Sequence, residues 1–239
     1  MQNISKSAAL ILGICAIIGL LGLGYLLKTA ALEYKQFERS VTVKGLSEQE
    51  YPADIVIWPI QFAFAENDLA KLYNLVDSST LKIENFLEEH AINASEISIG
   101  APAITDKSAQ QYGGDNNAKF RYTAVQTITV YSKEVEKVRA VMSSLSELGK
   151  EGIVFTGDNY QAQVEYIFTQ LNEIKPKMIE EATNKAREVA EKFASDSHSR
   201  LGKIKQASQG QFSISNRDKN NPHIKSVRVV STVEYYLAD

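Results

Sequence analysis

From Ala8 to Leu27 the chain reads AALILGICAIIGLLGLGYLL, twenty residues without a charge. At about 1.5 Å of rise per residue, a helix of that length covers about 30 Å, one hydrocarbon thickness. Lipid offers no hydrogen-bond partners, so a single apolar run can cross it only as a helix. The run therefore predicts a transmembrane tether. A cleavable signal peptide is the rival reading, with Lys6 as its positive flank and Thr29-Ala30-Ala31 as a small-residue cleavage site. Against it, signal cores are usually about 7–15 residues long. This run exceeds that and closes on Lys28, beside any such cut. A retained anchor is the better reading.

Cys15 is the only cysteine and lies inside the run, so the remainder can form no disulfide and carries no thiol nucleophile. Beyond the anchor, about 210 residues are enough to bury a core, as one large domain or two small ones. The net charge of −3 is unevenly placed: residues 185–228 hold ten Lys/Arg against four Asp/Glu, a net of +6 that leaves −9 elsewhere. No aromatic stacking series accompanies the basic residues, and Glu188, Glu191, Asp196 and Asp218 interrupt them, so a nucleic-acid partner is not expected. Acidic and basic parts of neighbouring copies could instead meet in a head-to-tail contact.

Periodicity organises the rest. Ser40–Lys44 and Asp54–Ala65 alternate as strands around Tyr51-Pro52-Ala53 and are expected to pair as a hairpin, with Pro59 at an edge or a bulge. Residues 68–90 carry the stripe Leu69, Leu72, Tyr73, Val76, Ile83, Phe86, Leu87, a helix capped by Asn67 or Asp68. Strands follow at Ile97–Ile104 and Phe120–Tyr131, joined by the segment 105–119 with its Tyr112-Gly113-Gly114-Asp115-Asn116-Asn117 turn chemistry. Ser132 is expected to cap a helix with Val135, Val138, Met142, Leu145 and Leu148 inward, ended by Gly149. Gly152–Phe155 and Gln163–Thr169 read as a strand pair around Gly157-Asp158-Asn159. Pro176 is placed in the first turn of a third helix that buries Ile179, Ala182, Ala186, Val189 and Phe193. Lys203–Ser215 and Ile224–Leu237 close the chain as strands around the loop 216–223, with Val227, Val229, Ser231, Val233, Tyr235 and Leu237 on one face. The fold class is α+β, mainly antiparallel sheet with helices packed on one face.

The chemistry-bearing residues do not assemble into a constellation. His90, His198 and His223 lack HxH or HxxxH spacing and read as surface histidines. Ser79-Thr80-Leu81-Lys82 matches SxxK, but the Ser-Asp-Asn and Lys-Thr-Gly companions are missing. Glu180, Glu181, Glu188 and Glu191 alternate with Lys185, Arg187 and Lys192 as i,i+4 lacing of an exposed helix. Gly22 and Gly24 lie in the anchor and Gly113-Gly114 precedes no helix, so no phosphate loop is read. Ala9, Gly13 and Ala16 form a small-residue stripe in the anchor. Trp58, Phe62 and Phe64 read as sheet face or core, with an apolar ligand groove as the alternative. No catalytic, cofactor-binding or metal-binding residue is assigned, and no cofactor.

The segments SVTVKG (40–45), YPAD (51–54), YIFTQLNEIKPKMIEEATNKAREVAEKFASDSHSRLG (166–202), Gln209-Gly210 and VRVVSTVEYY (227–236) together resemble the SIMPL-domain, YggE-like family of bacterial envelopes. The "V-x-G … P-x-D" opening and the "EAT-x-x-A-R-x-x-A" helix carry most of the likeness. The resemblance implies an exported α+β domain, ring-like homo-oligomers in some members, links to oxidative stress tolerance, and no established catalysis. Counting Lys6 against Lys28, Lys35 and Arg39 would keep the domain in the cytoplasm. The resemblance, and the tendency of a very short N-terminal tail to stay inside, favour the periplasm. The expected layout is a tail at 1–7, an anchor at 8–27, a stem at 28–39 and a SIMPL-like domain at 40–239, whole or in two subdomains. The leading expectation is a non-enzymatic inner-membrane protein, with its domain in the periplasm, that forms a homo-oligomer through acidic and basic faces. The alternative is a scaffold or ligand-binding module acting through the 105–119 loop or the Trp58 sheet face.

Overall fold

The computed structural model describes residues 6–37, 39–109, 119–156 and 162–238. Helix α1 spans Lys6–Phe37, so residues 28–37 of the expected stem continue the anchor helix. Within it, Leu10–Ala31 has a mean hydropathy of 2.6 and none of its length is buried. The chain divides into two compact units, each built from separated stretches.

The second unit, residues 49–174 and 214–227, holds a five-stranded antiparallel sheet. Its strands are β2 (Ile55–Glu66), β3 (Ile97–Ile99), β4 (Ala103–Asp106), β5 (Tyr122–Ser132) and β6 (Glu165–Ile167), in the order β3-β5-β2-β6 with β4 also on β5. Strand β2 lies along β5 from Val56↔Ser132 to Glu66↔Tyr122, which brings Trp58 opposite Val130 and Ile60 opposite Ile128. Helix α2 (Leu69–Glu89) starts where Asp68 accepts the amides of Ala70 and Lys71 at 2.8 and 3.1 Å. It lays Leu72, Val76, Ile83, Phe86 and Leu87 on that face, where Val138 of α3 (Val135–Ser144) joins them. Trp58 and Phe62 are only 4% and 0% exposed. They are core, worth about 1.5–3 kcal/mol each in burial, and the apolar-groove alternative at Trp58 is thereby overturned.

Other expectations change here. The strand expected over Ile97–Ile104 is broken into β3 and β4 by Gly100-Ala101-Pro102, with the Gly100 amide on the Thr127 carbonyl at 2.9 Å. The helix expected after Ser132 is also broken, into α3 and α4 (Ser146–Lys150), so Gly149 lies within α4. Its N-cap position is Glu134, whose amide Ser132 accepts at 3.0 Å from the end of β5. Residues around Phe155 and β6 do not pair with each other. Both run along β2, β6 at 55–57 and Phe155 as a bridge to Phe62. Pro59 falls between these partners. Ala63 gives its amide to Val154 and Gln61 accepts from Thr156, so odd-numbered β2 residues aim their backbone groups that way. Among the described residues none pairs with Pro59 on that side, the edge-like position that its missing N–H requires. The turns at 112–117 and 157–159 lie outside the described residues.

The first unit, residues 1–48, 175–213 and 228–239, is built on β1 (Ser40–Pro52), β7 (Arg200–Gln209) and β9 (Ile224–Ala238), ordered β1-β9-β7, with β8 (Ser213–Asn216) also on β9. The expected β1–β2 hairpin does not form, because β1 pairs with β9 and β2 belongs to the other sheet. Val229, Ser231, Val233 and Tyr235 share one buried face of β9, as their alternation predicts. Helix α5 (Leu171–Asp196) starts earlier than expected and places Pro176 inside it. Its buried stripe is Met178, Ala182, Ala186, Ala190 and Ala194, whereas Val189 and Phe193 are 41% and 56% exposed. Small residues at four-residue spacing let the helix approach the sheet closely, and the bulkier side chains turn outward.

Candidate functional site

The residues singled out in the sequence are scattered. His90 follows α2 as its C-cap, with Nδ1 2.8 Å from the Phe86 carbonyl and its ring 4.3 Å from the Phe86 ring. His198 ends α5 in the left-handed region at φ 54° and is exposed. Ser79 is buried in α2, Thr80 bonds the Val76 carbonyl and Gln126 Oε1, and Lys82 pairs with Glu151 at 3.4 Å. Ser79 and Lys82 of the SxxK match thus sit one turn apart on α2, the first buried and the second paired to a carboxylate. On α5, Glu181 pairs with Lys185 at 2.7 Å and Arg187 with Glu191 at 3.0 Å, the i,i+4 lacing that the spacing predicts. Among the described residues, no three His, Cys, Asp or Glu side chains could hold a metal ion.

His223, expected on the surface, is only 9% exposed. It closes the 216–223 loop, where Asp218 accepts the amides of Asn220 and Asn221 at 2.9 and 2.8 Å and Arg217 bridges to Asp218 and Glu50. The His223 carbonyl takes the Ala53 amide at 2.8 Å, and its ring meets Tyr166 edge-on at 6.0 Å. Burial, reinforced by the Arg139 charge, pushes the imidazole below its ordinary pKa. Burial likewise raises the Tyr166 phenol. Arg217 with the Asn221 side chain holds Asp218 down at about 2. Two residues on, Lys225 is 7% exposed, donates to Asn216 Oδ1, and has its pKa lowered by burial alone. Alternation on β9 from Val227 backward was the available signal for both burials. This is a dense titratable cluster, yet its groups are mostly spent on one another: Arg139 holds Glu136 at 2.8 Å and Tyr166 Oη lies 3.9 Å from Met142 Sδ. The arrangement pins a loop to β6, α3 and the Ala53 turn.

A second joint closes the base of the 105–119 segment. Arg121 grips Asp106 through both carboxylate oxygens at 2.8–3.2 Å, and Asn67 Oδ1 accepts the Arg121 amide at 2.9 Å. The paired guanidinium and the Ser108 hydroxyl hold the Asp106 carboxyl far below the usual carboxylate range.

The sequence motifs have structural work of the same kind. Within the first unit, Gly45 of SVTVKG packs backbone to backbone on Ala182 and Ala186 of EATNKA, and Ser47 donates to Glu181 at 2.8 Å. Within the second, Asp54 of YPAD accepts the Thr169 amide at 2.9 Å and its hydroxyl at 2.7 Å, and Tyr51 stacks on Phe168 at 5.4 Å. The most distinctive residues of the chain thus join strands to helices and loops. The family model that matches is SIMPL, described as a protein of unknown function (DUF541), over residues 41–233. Among curated proteins, none matches.

Proposed function

The chain belongs to the SIMPL family, and we propose that within it the protein is a membrane-tethered module of the bacterial cell envelope that self-assembles and does not catalyse a reaction. One observation carries the tether: a 22-residue apolar stretch of α1, Leu10–Ala31, with none of it covered by the rest of the chain. Leaving that stretch in water would expose a row of leucines and isoleucines, and a bilayer relieves the cost. Support for a non-catalytic role comes from the motif residues, which are committed to packing and hydrogen bonds within the fold. A periplasmic domain in the inner membrane, and a setting in envelope or oxidative stress tolerance, follow from the family resemblance.

Acidic and basic faces are a weaker basis for assembly than the sequence suggests. Lys185, Lys205 and Arg217 pair with Glu181, Glu234 and Glu50, three carboxylates from outside the segment, so half of the +6 is met before a second copy arrives. Membrane fractionation of the full chain tests the tether. Retention in the pellet after an alkaline wash is expected, and release of the intact chain into the supernatant would overturn it.

A second reading is favoured by the Arg121–Asp106 clamp, which fixes the base of a long segment as a presenting scaffold would. Deleting residues 108–118 would then abolish partner capture while leaving the assembly mass unchanged. An unchanged capture would dismiss this reading.

A further inference from the structure

Strands β2 and β5 each present two faces, and only one carries α2 and α3. Even-numbered residues, such as Trp58, Ile60, Ile128 and Val130, form the core beneath those helices. Odd-numbered residues of β5 from Thr123 to Tyr131 and of β2 from Ile57 to Ala63 form the reverse face, continued by Val154 and Thr156. Among these positions there is no Asp, Glu, Lys or Arg, in a chain where such residues make up 23%. Glu165, at the corner opposite Ile57, borders this face. Tyr131 and Val154 are 48% and 62% exposed, the threonines between them are half-buried, and Gln61 is buried under its own hydrogen bonds.

Polar groups on this face already satisfy one another. Thr156 Oγ1 donates to Gln61 Oε1 at 2.8 Å, and Gln61 Nε2 donates to Thr127 Oγ1 at 3.3 Å. Hydrogen bonds made sideways within a sheet survive when the sheet is covered, so drying this surface costs less than drying unpaired amides and hydroxyls. Charge depletion at the centre of a patch, combined with satisfied polar groups, is the composition of an interface core.

We propose that the reverse face of the five-stranded sheet, centred on Thr127, Thr129 and Tyr131, docks against the same face of a second copy of this chain. The proposal deepens the self-assembly reading and rests on it. An uncharged face can meet itself across a two-fold axis without like-charge repulsion. Ser98 of β3 and Ala103 and Thr105 of β4, opposite Thr129, Val125 and Thr123, add a fourth track, and four tracks at about 4.8 Å spacing over nine residues at about 3.4 Å give roughly 500 Å² per copy. A pair then buries about 1,000 Å², the lower bound for a specific interface. Two sheets stacked face to face supply the required fit, with their strands within about 30° of each other. The anchor helps, because copies confined to one membrane meet at high effective concentration.

The test uses the full chain in lipid nanodiscs or mild detergent, with particle mass read by mass photometry. Thr127→Lys places two ammonium groups face to face at the centre, and Tyr131→Glu does the same with carboxylates at an exposed position that cannot disturb the core. Val189→Lys, on the exposed side of α5, is the control. Each variant is checked by thermal melting. Wild type and the control are expected as multimers, with either charged variant at half the wild-type mass or less and its dissociation constant raised at least tenfold. Wild-type mass in both folded charged variants would overturn this interface and leave self-assembly standing. A monomeric wild type would overturn both, and would be the outcome if the face served a different partner.

Discussion

Gly45 on β1 stands so close to α5 that a β-carbon there would lie 1.8 Å from the Ala182 carbonyl oxygen and 2.5 Å from the Ala186 nitrogen. Both obstacles are backbone, so no side chain can swing aside. The contact joins two motifs that lie more than a hundred residues apart in the chain, and it explains why a glycine and a stripe of alanines are needed there.

Gly45→Ala should therefore be severely destabilising, by about 3 kcal/mol or more, since overpacking that moves backbone lies at the upper end of core insertions. Gly149→Ala is the contrast: nothing lies within 4 Å of its β-carbon position in α4. There the change should be neutral or stabilise by up to about 1 kcal/mol. Thermal melts of the two variants check the pair. Equal melting temperatures would refute the close approach.

Ser231 offers a gain. Its hydroxyl is buried on β9 with no hydrogen-bond partner among the described residues. Removing an unsatisfied group should cost nothing and can return about 1 kcal/mol. Ser231→Ala should melt at or above the wild-type temperature, and a loss of several degrees would show that the hydroxyl has a partner.

The His223 ring sets an acid limit on the second unit. Burial keeps it neutral and lowers its pKa, with Arg139 and Arg217 opposing a proton and Glu136 and Asp218 favouring one. The folded state then binds fewer protons than the unfolded chain, so stability holds above the unfolded value near 6.5 and falls as pH drops through the lower folded value. Urea midpoints measured from pH 7.5 to 5 should decline for the wild type and flatten for His223→Gln. An equal slope in the variant would assign the acid sensitivity elsewhere.

Assembly through an uncharged face should be indifferent to salt. Interactions between exposed charges are screened within about 8 Å at physiological ionic strength and about 3 Å at 1 M. Particle mass should stay constant between 50 mM and 500 mM sodium chloride. Dissociation at the higher salt would favour the acidic and basic faces that the sequence suggested.

The parts legible in the sequence were those governed by one local period. The uncharged run became α1, Asp68, one of the two expected cap residues, capped α2, and the alternation after Val227 became the buried face of β9. Pairing was not legible, because alternation marks a strand without naming its partner. Strand β1 therefore joined β9 from the far end of the chain and not its neighbour β2. Hydrophobicity also misdirected the reading of α5, where close approach at Gly45 selects alanine for the buried stripe and sends Val189 and Phe193 outward. The reverse face of the five-stranded sheet could not be found from composition. Its threonines become a surface only when β2 and β5 are set in register.

Protease accessibility in intact spheroplasts reads the tether and the side of the domain together, with the chain followed by a C-terminal tag in the washed membrane pellet. A full-length 26.5 kDa chain, its tag aside, is expected in the membrane and digested by protease added outside. A shortened chain in the soluble fraction, or a membrane-bound chain that resists digestion until the membrane is opened, would contradict that placement.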